Sequence, residues 1–168
     1  MFNPHARLLI VRHYVAAIAL LMLAAVAPGA AAEQSQDALD RVLAMSKAPP
    51  GVVFEIVSAN EAELGLAIPK VTRYAGQLRK RFPKLPIAVV THGREMFALQ
   101  SDKRNAAAQV HAGVESLSKS DIPVHVCETY AGMRGIGAEA FPSYVNVAPS
   151  GPSQIKNYLE LGYLLIKL

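Results

Sequence analysis

VVFEIV, residues Val52 to Val57, decides the fold. It is an apolar run dominated by β-branched side chains, the composition of a strand buried on both faces, and Glu55 alone interrupts it. A carboxylate in such a strand needs a partner or a sheet edge. Similar short segments recur downstream: IAVV (Ile87 to Val90), IPVHV (Ile122 to Val126), Tyr144 to Val147 and Tyr163 to Ile166. Pro123 is tolerable because it lies near a strand start. Between the strands lie helical stripes. Val71, Tyr74, Ala75, Leu78 and Phe82 recur at helical spacing, with Pro69 expected in the first turn and Pro83 and Pro86 closing the segment. Ser58 to Ile68, before it, reads as loop at its start. Ala107, Val110, Val114 and Leu117 line a second face, with Asn105 expected as N-cap. Brief helices are expected over Arg94 to Leu99 and Glu128 to Arg134. A last one opens at Ser150-Gly151-Pro152, carries Ile155, Tyr158 and Leu159, and ends at Gly162. Five strands alternating with helices through short links predict an α/β fold: a three-layer α/β/α sandwich around a mainly parallel five-stranded sheet.

Upstream, the chain reads as an export signal over residues 1–32. Arg7 and Arg12 form a positive start, and Tyr14 to Val26 is an unbroken apolar run. Pro28-Gly29 breaks it, and Ala30-Ala31-Ala32 supplies the small residues of a cleavage site. The run of 13 residues is short against the roughly 20 that a bilayer requires. The alternative is an uncleaved anchor lengthened by Leu8 to Val11. His13 after Arg12 removes a twin-arginine pair, so the general secretory route is expected. Residues 33–50 read as a linker or surface helix with a weak stripe at Leu39, Val42 and Leu43, stopped by Pro49-Pro50-Gly51. The domain proper is expected over 51–168.

Without Arg7 and Arg12 the chain keeps 15 basic against 13 acidic side chains, a net charge near +2. That balance carries neither a nucleic-acid footprint nor a membrane-binding patch. Arg79, Lys80 and Arg81 form the tightest basic cluster, at a helix end where cations complement the dipole. The single cysteine, Cys127, permits no intrachain disulfide. An unpaired thiol outside the cytoplasm is buried, paired between chains, or kept for reactivity.

Ligands of open parallel sheets bind outside the C-terminal ends of the strands. Four segments fall there: Ser58-Ala59-Asn60, Thr91-His92-Gly93-Arg94, Cys127-Glu128-Thr129-Tyr130 and Ala148-Pro149-Ser150-Gly151. Cys127 directly precedes a predicted helix, whose positive end favours a thiolate. The competing reading is an inert core cysteine. His92 holds the matching position on strand two; if strands two and three are neighbours, its ring is expected to approach Cys127 and serve as base or thiolate partner. Otherwise it is a turn histidine held by its backbone. His125 points to the face of Cys127, deeper along the strand, and is expected beneath a helix. His111 is expected at the boundary of its helical stripe. No metal is expected, because His92, His125, Cys127 and Glu128 show no familiar ligand spacing. C-x-x-C and G-x-S-x-G are absent, which argues against dithiol and α/β-hydrolase chemistry. Gly132 to Gly137 lacks the setting of a nucleotide fingerprint, and no cofactor is expected.

Val52 to Val57, VVTHG (Val89 to Gly93), IPVHVCETYAGMRGI (Ile122 to Ile136) and LELGYLLIKL (Leu159 to Leu168) together resemble the DsrE/DsrF-like family. The resemblance spans Gly51 to Leu168. Its most specific parts are the lone cysteine closing strand three before a short helix and the Gly-Tyr-x-x-Ile ending. In sulfur-relay members that cysteine carries a persulfide, a role the resemblance implies for Cys127. It also implies a site position for His92-Gly93 and a homo-oligomer, trimer or hexamer, with the cysteine near subunit contacts. The resulting expectation is a periplasmic or secreted sulfur carrier whose loops at Asn60, at His92, Gly93 and Arg94, and at Tyr130 to Arg134 shape the pocket. Its partners are a sulfur donor and a thiol acceptor, protein or small molecule, with no nucleic acid and a membrane only if the leader is retained. The alternative function is a non-catalytic module that binds a small ligand or partner segment, with Cys127 as packing. A third is an assembly protein working through its oligomer surface.

Overall fold

The computed structural model describes residues 29–168, so the expected leader lies outside them except for its last four positions. Five strands form one sheet: β1 (Val52–Ile56), β2 (Ile87–Thr91), β3 (Val124–Cys127), β4 (Asn146–Ala148) and β5 (Leu164–Lys167). Their order is β4-β3-β2-β1-β5, and every pairing is parallel. The helices are α1 (Gly29–Leu43), α2 (Leu64–Arg81), α3 (Ala108–Lys119), α4 (Glu128–Gly132) and α5 (Gly151–Glu160).

Topology assigns the helices to faces. From β1 to β4 the chain steps one way across the sheet, and right-handed crossovers put the connecting segments on a single face. The return from β4 to β5 runs the other way and puts α5 on the opposite face. The packing agrees. Phe54, Ile56, Val89 and Val126 share a large buried cluster with Ile68 and Leu78 of α2, Val114 and Leu117 of α3, and Ala131 of α4. Val53, Ala88 and Val90 pack under Ile155 and Tyr158 of α5, beside Tyr163 and Leu165. The adjacent strands β3 and β4 therefore send the chain to opposite faces.

Three expectations are corrected. Of the two alternatives for 33–50 the helix holds, through Leu43, and the linker falls, because the stripe is packed: Leu39 is fully buried and Val42 nearly so in the large cluster. Polar contacts align α1 with α2: Lys70 Nζ donates to Ser35 Oγ at 2.6 Å, Tyr74 donates its hydroxyl to Gln36 Oε1 at 3.0 Å, and Arg81 donates to the Met45 carbonyl at 2.9 Å. Leu39→Ala is accordingly expected to cost about 2–5 kcal/mol in denaturant unfolding. A loss within about 0.5 kcal/mol would return α1 to the surface.

Pro69 is not in the first turn. A 3-10 turn (Glu61–Glu63) runs into α2 at Leu64, which leaves Pro69 inside the helix. Only the ladder bond to the Gly65 carbonyl is lost, close to the helix start, and burial of Ile68 before it and Val71 after it offsets the loss. Asn105 is not the cap of α3. That helix begins at Ala108 without a side-chain cap, and a turn closed by Ala107 N donating to Lys103 O at 2.8 Å leads into it.

Candidate functional site

Where neighbouring strands send their connections to opposite faces, an open α/β sheet leaves a crevice at its carboxyl ends. Here that point lies between β3 and β4, and its register pairs Cys127 with Ala148. Cys127 closes β3 and caps α4: its backbone is extended, and Sγ accepts a hydrogen bond from Tyr130 N at 3.4 Å. A thiol thus fills the place that a hydroxyl or carboxylate usually takes at a helix N-cap. The other lip is stapled to α4 by Thr129, whose N and Oγ1 both donate to the Pro149 carbonyl, at 3.1 and 2.6 Å. Cys127 is unpaired and 4 % exposed. It belongs to the large cluster, whereas His125 packs under α5 with Nε2 2.9 Å from Tyr158 Oη. The turn into α4 thus separates two side chains that strand alternation alone would leave on one face.

The segment expected as a brief helix at Arg94–Leu99 is a 3-10 turn, and it ties the loops together. Glu95 is fully buried. Its carboxyl group accepts from Ser58 N (2.6 Å) after β1, and from Thr91 Oγ1 (2.6 Å) and Gly93 N (2.9 Å) at the end of β2. Gly93 is required here, since a Cβ would stand 2.5 Å from the Ser58 carbonyl oxygen and overlap the Glu95 carboxylate. Two residues on, Phe97 stacks on Tyr130 with ring centroids 5.5 Å apart. Arg134 lies over both rings and donates to Tyr130 Oη at 3.0 Å. Sequence reasoning missed Glu95 and Phe97, because a turn in REMFAL gives no sign of which distant loops its side chains reach.

His92 is corrected in its partner. Strands two and three are neighbours, as its expected role requires. The ring, however, makes its hydrogen bond toward β1, with Nε2 2.9 Å from Glu55 Oε1, and Lys167 Nζ lies 3.3 Å from Glu55 Oε2. This supplies the partner that Glu55 demanded. The expected pocket does not assemble as one surface. Asn60 is exposed and caps the turn Glu61–Glu63 by accepting from Ala62 N at 3.1 Å. Gly93 and Arg94 sit against Ser58, with Arg94 N donating to the Ser58 carbonyl at 2.7 Å. Tyr130 and Arg134 form a separate patch with Phe97. Cavities of about 330 and 300 Å³ lie between the starts of α2 and α3, around Val110 and Ala107. Another of about 360 Å³ lies between α1 and β5, and none of the three borders Cys127. Among the described residues no three His, Cys, Asp or Glu side chains gather as a metal would require.

His111 is no boundary residue. It is 1 % exposed, with Nε2 3.0 Å from the Ala98 carbonyl, to which it donates, and Nδ1 2.5 Å from Tyr144 Oη, from which it accepts. Burial pushes its pKa below the ordinary 6.5, against the opposing Ala98 contact, and burial likewise lowers that of His125. The unfolded chain therefore takes up protons below 6.5 that the native protein refuses, so stability is held above that value and lost as the pH falls through it. A thermal melt scanned from about pH 7.5 to 5.5 is expected to show a falling midpoint, with a shallower fall in His111→Gln. Equal slopes in both proteins would contradict this role for His111.

Comparison with known proteins completes the picture. The fold is similar to that of MTH1491 of Methanobacterium thermoautotrophicum, a structure titled as a protein of unknown function. The TM-score is 0.57 at 21 % identity, over 70 % of this chain and 97 % of that one. Lesser likenesses reach BT1422 of Bacteroides thetaiotaomicron (TM-score 0.49, 14 % identity, 69 % of this chain and 94 % of that). They also reach the ychN protein of E. coli (TM-score 0.49, 16 % identity, 70 % and 99 %). No curated protein matches the chain. The sequence model of the DsrE/DsrF-like family matches residues 51–168, the whole of the sheet and every segment that borders Cys127, and the chain belongs to that family.

Proposed function

We propose that the protein carries sulfane sulfur as a persulfide on Cys127, working outside the cytoplasm in the periplasm or as a secreted protein. The observation that carries this reading is the place of Cys127: the one thiol of the chain closes β3 at the crevice between β3 and β4, with a backbone N–H from α4 directed at its sulfur. In the loading step the thiolate attacks the sulfane sulfur of a donor. A new S–S bond forms, the donor's own bond to that sulfur breaks, and its electron pair leaves on the donor. An acceptor thiolate then repeats the exchange in the other direction. Sulfur donors and thiol acceptors are the partners, and a homo-oligomer, trimer or hexamer, sets subunit contacts near the cysteine. The export signal at Arg7 to Ala32 supports the compartment. The test is intact-mass spectrometry of the full domain after incubation with polysulfide. The expected gain is one sulfur atom per chain, released by a reducing thiol. A mass unchanged under these conditions would end this reading.

The 4 % exposure of Cys127 favours a second reading, a ligand- or partner-binding module in which the thiol is packing. In that case Cys127 resists alkylation until the domain unfolds, whereas a carrier is alkylated while folded.

A further inference from the structure

We propose that Arg134 selects the sulfur donor, binding the carboxylate of a peptide-sized thiol persulfide whose outer sulfur Cys127 attacks. This rests on Cys127 being the sulfur-carrying group and names the class of its donor. Cys127, Tyr130 and Arg134 stand at i, i+3 and i+7. Cys127 is the N-cap of α4, and the helical winding continues past Gly132. Met133 N donates to the Thr129 carbonyl at 3.1 Å, and Arg134 N to that of Ala131 at 2.9 Å. The three residues therefore follow one stripe. Tyr130 links its two ends: its N–H donates to Cys127 Sγ at 3.4 Å, and its hydroxyl accepts from Arg134 Nη2 at 3.0 Å. The buried cluster that holds Cys127 also takes in Phe97, on which Tyr130 stacks.

The guanidinium is held in place but not neutralised. Its carbon lies 5.5 Å from the ring centroid of Phe97 and 5.1 Å from that of Tyr130. Phe97 is buried and makes a fixed platform, whereas Arg134 itself is exposed. Among the described residues no Asp or Glu forms an ion pair with Arg134. One of its N–H groups serves Tyr130, which leaves donors free for an anion. A planar guanidinium fork matches a carboxylate through two parallel hydrogen bonds. Because the rings already hold the side chain, little rotamer freedom remains to be lost when the anion binds.

The spacing sets the size of the donor. Seven residues of helical rise place Arg134 roughly 10 Å from Cys127 along the stripe. A short inorganic polysulfide carries its charge on the sulfur chain itself and does not span that distance. A persulfide built on a short peptide does, with its outer sulfur at Cys127 and a carboxylate at Arg134. Cys127 gives its proton to solvent, and the thiolate attacks the outer sulfur. A new S–S bond forms as the donor's own bond breaks, the electron pair leaves on the inner sulfur, and the peptide departs as a thiolate. Arg134 touches the donor but none of the reacting atoms, so its role is specificity.

The test follows sulfur loading of the protein by intact mass over a range of donor concentrations. The two donors are glutathione persulfide and its dimethyl ester, in which the carboxylates are masked. The unaltered protein is expected to half-saturate with the acid at a concentration about tenfold or more below that for the ester. Arg134→Gln should raise the half-saturating concentration of the acid by the same factor and keep its maximal rate. The same variant should leave loading from the ester and from inorganic polysulfide unchanged. Arg134→Lys should recover only part of the preference, because an ammonium lacks the fork. Equal use of acid and ester by the unaltered protein overturns the proposal and requires no variant to fold. An Arg134→Gln protein impaired with acid and ester alike also overturns it, since that is the mark of a role in packing α4. Either result, with loading from polysulfide intact, defeats the selection role alone. No sulfur from polysulfide or from either persulfide ends the carrier reading, and this proposal with it.

Discussion

Glu95→Ala is expected to remove about 3–5 kcal/mol of folding stability, a fall in melting temperature of roughly 10–20 °C. The carboxyl group is fully buried and accepts from Ser58 N, Gly93 N and Thr91 Oγ1. Alanine leaves these three donors without their acceptor. A buried donor left unpaired costs about 1–3 kcal/mol, and a domain of this kind holds only about 5–15 kcal/mol in total. Glu95→Gln is the finer probe. It keeps one oxygen as acceptor but turns an amide NH2 toward a backbone N–H, so its loss should fall at about 1–3 kcal/mol. Denaturant unfolding of both variants checks the order. Near-neutral behaviour of Glu95→Ala would show that the loops after β1 and β2 hold together without it.

Cys127→Ser is expected to abolish persulfide loading while changing stability by less than about 1 kcal/mol. The loss is complete because no other thiol exists in the chain. The fold survives because serine is a preferred N-cap residue and offers a better acceptor than sulfur to the Tyr130 N–H. Against that gain stands the cost of a hydroxyl at a position 4 % exposed, and the two nearly balance. A Cys127→Ser protein that unfolds would mark the thiol as core packing first, and Cys127→Ala would then separate lost packing from a lost cap.

The five strands were legible because their composition is local information: each run is apolar, β-branched and bounded by turn residues. The alternation of strand and helix carried the parallel sheet. Cys127 was legible for the same reason, as the last residue of such a run before a helix. Glu55 announced that it needed a partner, yet the identity of His92 depended on the register between β1 and β2, which no single segment encodes. Glu95 was silent, because REMFAL reads as a short helix with an acid in its first turn; only the sheet order brings Ser58 N–H onto that acid. His111 stands four residues after Ala107, on the same helical face, and that spacing was an available sign of burial. The habit of proline at helix starts hid the true beginning of α2. Tyr130 and Arg134 are one helical turn apart, but the aromatic they share, Phe97, comes from a different connection.

Whether sulfur resides on Cys127 is tested most directly by peptide-level mass spectrometry of the unaltered protein and Cys127→Ser. Both would be treated with polysulfide, blocked with an alkylating reagent, and compared before and after a reducing thiol. A peptide containing Cys127 that carries one extra sulfur atom, lost on reduction and missing from the variant, is the predicted result. A folded, unaltered protein in which that peptide bears neither sulfur nor the blocking group would contradict the account and make Cys127 a packing residue.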